Sequence, residues 1–315
     1  MSLPADAQLL LRLRTRQLLL IRQVEADRHL GRAAAALNIS QPAATKLLRQ
    51  AEDTLGVRLF ERGPRGMAPT APGQVVLRYV RTLCNDFGAM RATLAALESG
   101  LSGTLRIGSV PGAVPQLLAP ALIEYKRRHP RVQVSVTVDT SNIMVRQLER
   151  GEVDLVLGRL TDEHAGGDYE LAPLLEEALV LVVRRGHPLL GRRSVSLRDL
   201  TASAWIVQPP GAPQRLRLDA ALREAGITDK LDITETASTV MTTALLEASD
   251  MVAVMPASLA AHYGRMGLFQ ALPMDMPIRV PAISLITPLG RTPSAAAAHF
   301  SALVRAARTD ATAAA

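Results

Sequence analysis

Between residues 70 and 100 one stripe of apolar side chains recurs at Val76, Val80, Leu83, Phe87, Met90, Leu94 and Leu97. The spacings alternate four and three, the heptad seam of a helix that packs along a second helix. Thr70 suits the N-cap and Pro72 the first turn, where backbone N–H groups lack helical partners. At roughly 1.5 Å per residue such a helix is on the order of 40 Å long. A lone helix cannot bury so narrow a stripe. The spacing therefore predicts a homodimer seam through 76–97, with packing onto the chain's own domains as the alternative. Ser99, Gly100, Ser102 and Gly103 follow as a hinge-like linker. The chain is thus divided into a small part before this helix and a large part after it.

The two parts differ in charge. The 315 residues carry a net charge of +7. Residues 1–100 hold 14 basic and 8 acidic side chains, and residues 101–315 hold 22 and 21. The excess belongs to the first third and points to a polyanionic partner there. The single cysteine, Cys84, excludes an intrachain disulfide and a multi-cysteine metal site. Arg12, Arg14 and Arg16 interrupt the apolar N-terminal stretch, so it does not read as a secretory signal. The longest uncharged run, 107–123, contains Pro111, Pro115 and Pro120 and does not suit a membrane span. A soluble cytoplasmic protein is expected. The six histidines are scattered, and no His-Glu-x-x-His, Gly-x-Ser-x-Gly or Walker loop is present. No catalytic residue, metal or cofactor is expected.

Residues 12–70 are helical, small and basic. Ala33, Ala34 and Leu37 suit a tightly packed helix, and Ser40 is a good N-cap for the next one. Within that helix Ala44, Leu48, Ala51 and Leu55 share one face. Pro42, Thr45, Lys46 and Arg49 share the opposite face, with Gln41 at the tip. Short polar groups near the helix start can approach base edges while cations lie against phosphates. Arg62 and Arg65 on the Gly63–Gly66 turn read as a wing along the DNA backbone or minor groove, or as a plain surface turn.

Beyond residue 101, β-rich and helical runs alternate. Leu105 and Ile107 read as a strand, 115–128 as a helix, and Val132, Val134, Val136 and Val138 as a strand face. A helix over 142–150 and a strand over 154–157 complete a βαβαβ order, which predicts a parallel sheet flanked by helices. Further strands are expected at 179–183, 205–207, 231–235, 252–255 and 283–287. A capping-box turn is expected at Ser196, with helices over 239–248 and 294–308. The Ala/Thr tail, 309–315, reads as disordered. Ligands of parallel sheets sit at the carboxyl ends of strands, near helix N-termini. Ser109-Val110-Pro111, Thr140-Ser141-Asn142, Gly158-Arg159, Gln208-Pro209-Pro210 and Thr236-Ala237-Ser238 occupy such places, and Ser109, Val110, Pro111, Thr140, Ser141, Arg159, Gln208, Pro209 and Thr236 are the candidate effector residues. Hydroxyls and free N–H groups there would hold a carboxylate, with Arg159 adding charge. Trp205 is assigned to the core.

Arg32-Ala33-Ala34, Ser40-Gln41-Pro42-Ala43, Lys46, Leu55-Gly56-Val57, Leu59-Phe60-Glu61-Arg62, Arg65-Gly66, Thr70 and Gly73 together resemble the winged helix-turn-helix domain of LysR-type transcriptional regulators. Gly151–Gly158 and Gly186-His187-Pro188-Leu189 fit the two-lobed effector domain of that family, which is similar to type 2 periplasmic binding proteins. The resemblance implies an all-α winged helix-turn-helix domain over 12–70, a linker helix over 71–100 and an α/β effector domain over 101–308. Lobe one would comprise 101–160 and 268–308, and lobe two 161–267, with crossings near 159–162 and 267–272. It implies DNA contacts from Ser40, Gln41, Pro42, Thr45, Lys46 and Arg49, and from Arg62 or Arg65 on the wing. The implied partners are promoter DNA, a small-molecule inducer, a second copy of the chain, a homotetramer and RNA polymerase. Leu157-Gly158-Arg159-Leu160, the Trp205 region and Glu235-Thr236 with Ser249-Asp250-Met251 look like regulators of sugar-binding-protein or protocatechuate genes, which suggests a sugar, sugar acid or aromatic acid as inducer. The competing reading is a solute-binding protein or enzyme with a basic helical appendage.

Overall fold

A computed structural model of the chain describes residues 12–313, except 64–65, 100–102, 161–168, 229 and 275–277. The expected leader, Arg65, the centre of the linker and part of the first crossing lie outside the described residues. The chain divides into two compact units, Met1–Arg91 and Ala92–Ala315.

The first unit contains α1 (Thr15–Asp27), α2 (Leu30–Ala36), α3 (Gln41–Leu55), β1 (Phe60–Gly63), β2 (Gly66–Pro69) and the start of α4 (Ala71–Ser99). Leu20, Ile21, Val24, Leu48, Leu59 and Leu77 form its core. Ala33, Ala34, Ala44 and Ala51 are buried between the helices; their small side chains let the helices approach closely. The turns into α2 and α3 place Arg28 and Asn38 in the left-handed region, at φ 52° and 53°. β1 and β2 pair antiparallel from Phe60–Pro69 to Gly63–Gly66. The root of this hairpin is held by Glu52, whose buried carboxylate accepts from the Leu59 N–H at 2.8 Å and from Arg58 Nη1 at 3.1 Å. Thr70 Oγ1 donates to the Arg58 carbonyl at 2.6 Å and accepts from the Gly73 N–H at 3.0 Å, so it caps α4. Gly73 lies against the Leu59 carbonyl, where a β-carbon would overlap it.

The heptad stripe splits. Val76 and Val80 pack, with Leu77 and Cys84, onto the core of their own unit. Tyr79, Leu83, Phe87, Met90 and Leu94 are exposed, by 40–66%. This corrects the sequence expectation for Val76 and Val80. An α-helix turns by 3.6 residues while the stripe repeats every 3.5, so one end of the stripe rotates onto α1 as the other leaves it. The Arg81–Glu25 ion pair fixes that contact. The side chain of Leu97 lies outside the described residues.

The second unit continues with β3 (Gly103–Ser109), α5 (Ala119–Arg128), β4 (Val132–Val138), α6 (Ser141–Glu149), β5 (Leu155–Gly158) and β6 (Tyr169–Arg184). Then come β7 (Ala204–Val207), α7 (Pro213–Glu224), β8 (Asp232–Glu235), α8 (Thr239–Ala248), β9 (Val252–Pro256), α9 (Ala257–Arg265), β10 (Phe269–Ala271), β11 (Ile278–Pro288) and α10 (Ala295–Ala313). The strand order is β4-β3-β5-β11-β6-β9-β7-β8, with β10 on β6. β3 runs parallel to β4 and β5, as the βαβαβ reading requires, and β7 runs parallel to β8 and β9. Both faces of each lobe carry a core. In lobe one, Leu105, Ile107, Tyr125 and Phe300 lie on one side and Met144, Leu148, Val156 and Ile286 on the other. In lobe two, Trp205, Leu181 and Leu218 oppose Ile206, Leu246 and Phe269. Trp205 is fully buried and donates its indole N–H to the Leu200 carbonyl.

The lobes are joined by β6 and β11, which pair antiparallel from Leu179–Ile278 to Tyr169–Pro288. The return crossing is therefore β11. Segment 267–272 belongs to lobe two, because Phe269–Ala271 pairs with Val182–Arg184. β6 begins well before the expected 179; Pro173 and Glu176-Glu177 had broken its apolar alternation. The C-terminal helix continues to Ala313, so residues 309–313 are helical rather than disordered, in keeping with the high helix propensity of alanine.

Candidate functional site

Two places gather the candidate residues, one in each unit. In the first, α3 opens at Ser40, whose Oγ accepts from the Ala43 N–H at 3.3 Å. Gln41, Pro42, Thr45, Lys46 and Arg49 are all exposed, while Ala44 and Leu48 on the opposite face are buried. Leu47 turns partly inward onto the core. Sequence reasoning missed two supports of this face. The His29 side chain caps α2 by accepting from the Gly31 and Arg32 N–H groups. Gly31 leaves room for Gln41, whose Oε1 would lie 3.1 Å from a β-carbon there. Arg62 is exposed on β1, and Arg65 lies outside the described residues. The face is thus uncharged at the helix start and cationic one to two turns later. That order suits base edges first and phosphates beside them.

In the second unit a cleft lies between the lobes. A cavity of about 30 Å³ is bounded there by Pro111 of lobe one and by Ile206, Gln208, Gln214, Thr236, Thr239, Thr242, Met255 and Leu259 of lobe two. Among the expected residues, Pro111, Gln208 and Thr236 meet here. Pro209 is partly exposed beside Gln208 but does not line this space. Ser109, Val110, Thr140 and Ser141 are buried at the strand ends of lobe one. Ser109 Oγ donates to the Val110 carbonyl, and Ser141 Oγ accepts from the Arg159 N–H at 3.1 Å.

Arg159 differs from the sequence expectation. Its guanidinium is sealed beneath the cleft, donating to Glu177 Oε2 at 2.6 Å and to the Pro281 carbonyl at 2.7 Å. The two side chains are 1% and 2% exposed. Burial lowers the Arg159 pKa from its ordinary value, and the Glu177 carboxylate opposes that shift. The other Glu177 oxygen accepts from Ser258 Oγ, which also lies 3.3 Å from the Gly112 carbonyl. One buried network therefore joins the end of β5, both crossing strands, the lobe-one loop and the start of α9. Glu177 and Ser258 were not foreseen; an acidic pair inside an apolar strand was the available signal. Gln214 was also missed, whereas Asn142 follows the expected Thr140 and Ser141 at the start of α6. Both are buried, and Asn142 Oδ1 has no hydrogen-bond partner.

Residues 15–74 match the bacterial regulatory helix-turn-helix protein, lysR family, and residues 98–309 match the LysR substrate binding domain. The transcriptional regulator GbpR of Azospirillum brasilense is 35% identical over 271 residues, covering 86% of this chain and 79% of that protein. A full-length OxyR variant from Pseudomonas aeruginosa is similar in fold, with a TM-score of 0.66 at 20% identity, covering 93% of this chain and 94% of the other. Full-length CbnR, solved in complex with its target DNA, gives a TM-score of 0.60 at 24% identity over 93% of this chain and 99% of that one. These relatives are DNA-binding regulators, not enzymes, which removes the reading of a solute-binding protein or enzyme with a basic appendage. The chain belongs to the LysR family of bacterial transcriptional regulators.

Proposed function

We propose that this regulator binds its operator as a dimer, with α3 of each copy in a major groove. Gln41, Pro42 and Thr45 would read base edges, Ser40, Lys46 and Arg49 would take phosphates, and Arg62 and Arg65 would lie along the backbone or minor groove. The observation that carries this reading is the exposed face of α3, polar at its start and cationic beyond it. The exposed stripe from Tyr79 to Leu94 supports pairing along α4. Two copies would then meet half-sites roughly 34–36 Å apart, and two dimers would form the tetramer. The cleft of the second unit would hold a sugar, sugar acid or aromatic acid. Its binding would shift the lobes and so change the grip on DNA, provided that it favours one arrangement over the other. Thr140 and Ser141 at the start of α6 and Ser109, Val110, Pro111, Gln208, Pro209 and Thr236 at the other strand ends would shape that site. Arg159 would act from beneath it. The protein would work in the cytoplasm, on nucleoid DNA and beside RNA polymerase.

A gel-shift titration across salt concentrations tests the DNA reading. A promoter-derived palindrome should bind about 10³-fold or more tightly than random duplex. Equal affinity for both would overturn the proposal. Removal of residues 1–100 should abolish binding.

A further inference from the structure

We propose that Gly31 and His29, at the start of α2, decide which base Gln41 reads, because together they form a seat that holds the Gln41 side chain in one direction. This rests on the DNA reading of α3 and deepens it. Neither residue has to touch DNA for this, so both are positioning residues.

Gly31 stands where glycine is otherwise unfavourable. It is the second residue of α2, and its φ lies outside the left-handed region. The backbone there accepts any L residue, and alanine would favour the helix more than glycine does. What glycine supplies is space. A β-carbon at this position would stand 3.1 Å from Gln41 Oε1, 3.1 Å from His29 Cε1 and 3.3 Å from His29 Nδ1. The end of the Gln41 side chain and the His29 ring therefore converge on the place that a methyl group would fill.

The seat is rigid on the α2 side. His29 Nδ1 accepts from the Gly31 N–H at 3.1 Å and from the Arg32 N–H at 3.3 Å, which fixes the ring and leaves its proton on Nε2. The turn that carries His29 is tied to the wing, because the Arg28 carbonyl accepts from the Met67 N–H at 2.8 Å. Gln41 is exposed at the first position of α3. A long polar side chain left free at such a place spreads over several rotamers and loses entropy when it meets a base. Packed over Gly31 and beside His29, it is already turned one way when DNA arrives, and pre-organisation of this kind lowers the cost of binding. A methyl group on residue 31 pushes the amide off its seat. The displaced group is the far end of a flexible side chain, so the fold yields cheaply while the reading geometry changes.

The test selects duplexes from a fully randomised pool on the full chain and reads the base preference at each position by sequencing. The parent should select a motif, and Gln41→Ala should flatten it at particular base pairs of each half-site. Gly31→Ala should change the preference at those same pairs by about tenfold, with affinity for unselected duplex and its salt slope unchanged. The thermal midpoint of the first unit should be equal or higher, because alanine is the better helix former. His29→Ser can still cap α2 but lacks the ring, and it should act at the same base pairs. With Gln41 already replaced by alanine, Gly31→Ala should have no further effect on the motif. A Gly31→Ala motif identical to that of the parent overturns the inference and leaves the DNA reading standing. So does a change at other base pairs, a change that persists without the Gln41 side chain, or a lowered midpoint, which would make Gly31 structural. A parent that selects no motif overturns the DNA reading itself and the inference with it.

Discussion

Replacing Arg159 by methionine should unfold the second unit at a markedly lower temperature. The substitution leaves the Glu177 carboxylate buried with only Ser258 to donate to it, and strands the Pro281 carbonyl. Breaking one side of a buried ion pair costs about 3–5 kcal/mol, because the surviving charge stays in a medium that solvates it poorly. For a unit of this size each kcal/mol moves the midpoint by about 2–4 °C, so the loss should be about 6–20 °C. The double replacement Arg159→Met with Glu177→Leu removes both charges. It should return to within about 1–2 kcal/mol of the parent, since an apolar pair of similar volume is often neutral or stabilising and only single hydrogen bonds to Ser258 and Pro281 are lost. Trp205 fluorescence isolates the transition, because that residue is the only tryptophan and lies in the core of lobe two. A loss under about 2 °C for Arg159→Met would refute the reasoning. So would a double variant as unstable as the two single changes added together.

Lys46→Ala or Arg49→Ala should weaken binding to all DNA sequences alike and reduce the salt slope by about 1, while Gln41→Ala should cost about 1–3 kcal/mol on the operator and relax sequence preference; titrations at several salt concentrations separate the two. Phe87→Asp should shift the oligomer toward smaller species in sedimentation, because it places charge in the exposed apolar stripe, whereas Val80→Ala should instead lower the stability of the first unit by about 1–2 kcal/mol, since Val80 packs on its own core. Gly73→Ala should destabilise the first unit by about 1–3 kcal/mol, read from its thermal transition, because the new methyl meets the Leu59 carbonyl. The His129 pKa is held below its ordinary value by burial first, then by His299 and Arg128. The fold therefore prefers the neutral ring, and its contribution is complete above the unfolded pKa near 6.5 and lost as the pH falls from there through the folded value. The midpoint of the second unit should drop as the pH falls below about 6.5, and His129→Gln should flatten that slope.

Much of this was legible in the sequence because local chemistry and tertiary demand agree there. Ser40 caps the helix that its position promised, and Ala44, Leu48 and Ala51 turn inward while Lys46 and Arg49 turn out. The Leu105, Val132 and Leu155 strands pair in the expected parallel order. The sequence was less informative where a residue's partner is remote. Nothing within a few residues of Arg159 shows that Glu177 and Pro281 will claim it, so a cation at a strand end read as a ligand group. Val76 and Val80 sit in a seam by spacing alone, and only the position of α1 decides that they are covered. The crossing strands were shortened or misplaced because Pro173, Glu176 and Glu177 break the alternation in a segment whose partner, β11, comes a hundred residues later.

Those two crossing strands give the sensor an elastic character. A sensor whose lobes hang on loose connectors can rotate freely, but here every turn of one lobe must twist a hydrogen-bonded ribbon. The paired ribbon behaves like a torsion bar, with its soft point at the register shifts between Val280 and Ser284. Only small rotations are then cheap, and whatever holds the lobes rotated stores work in the ribbon that is returned on release. Resetting would need no separate machinery.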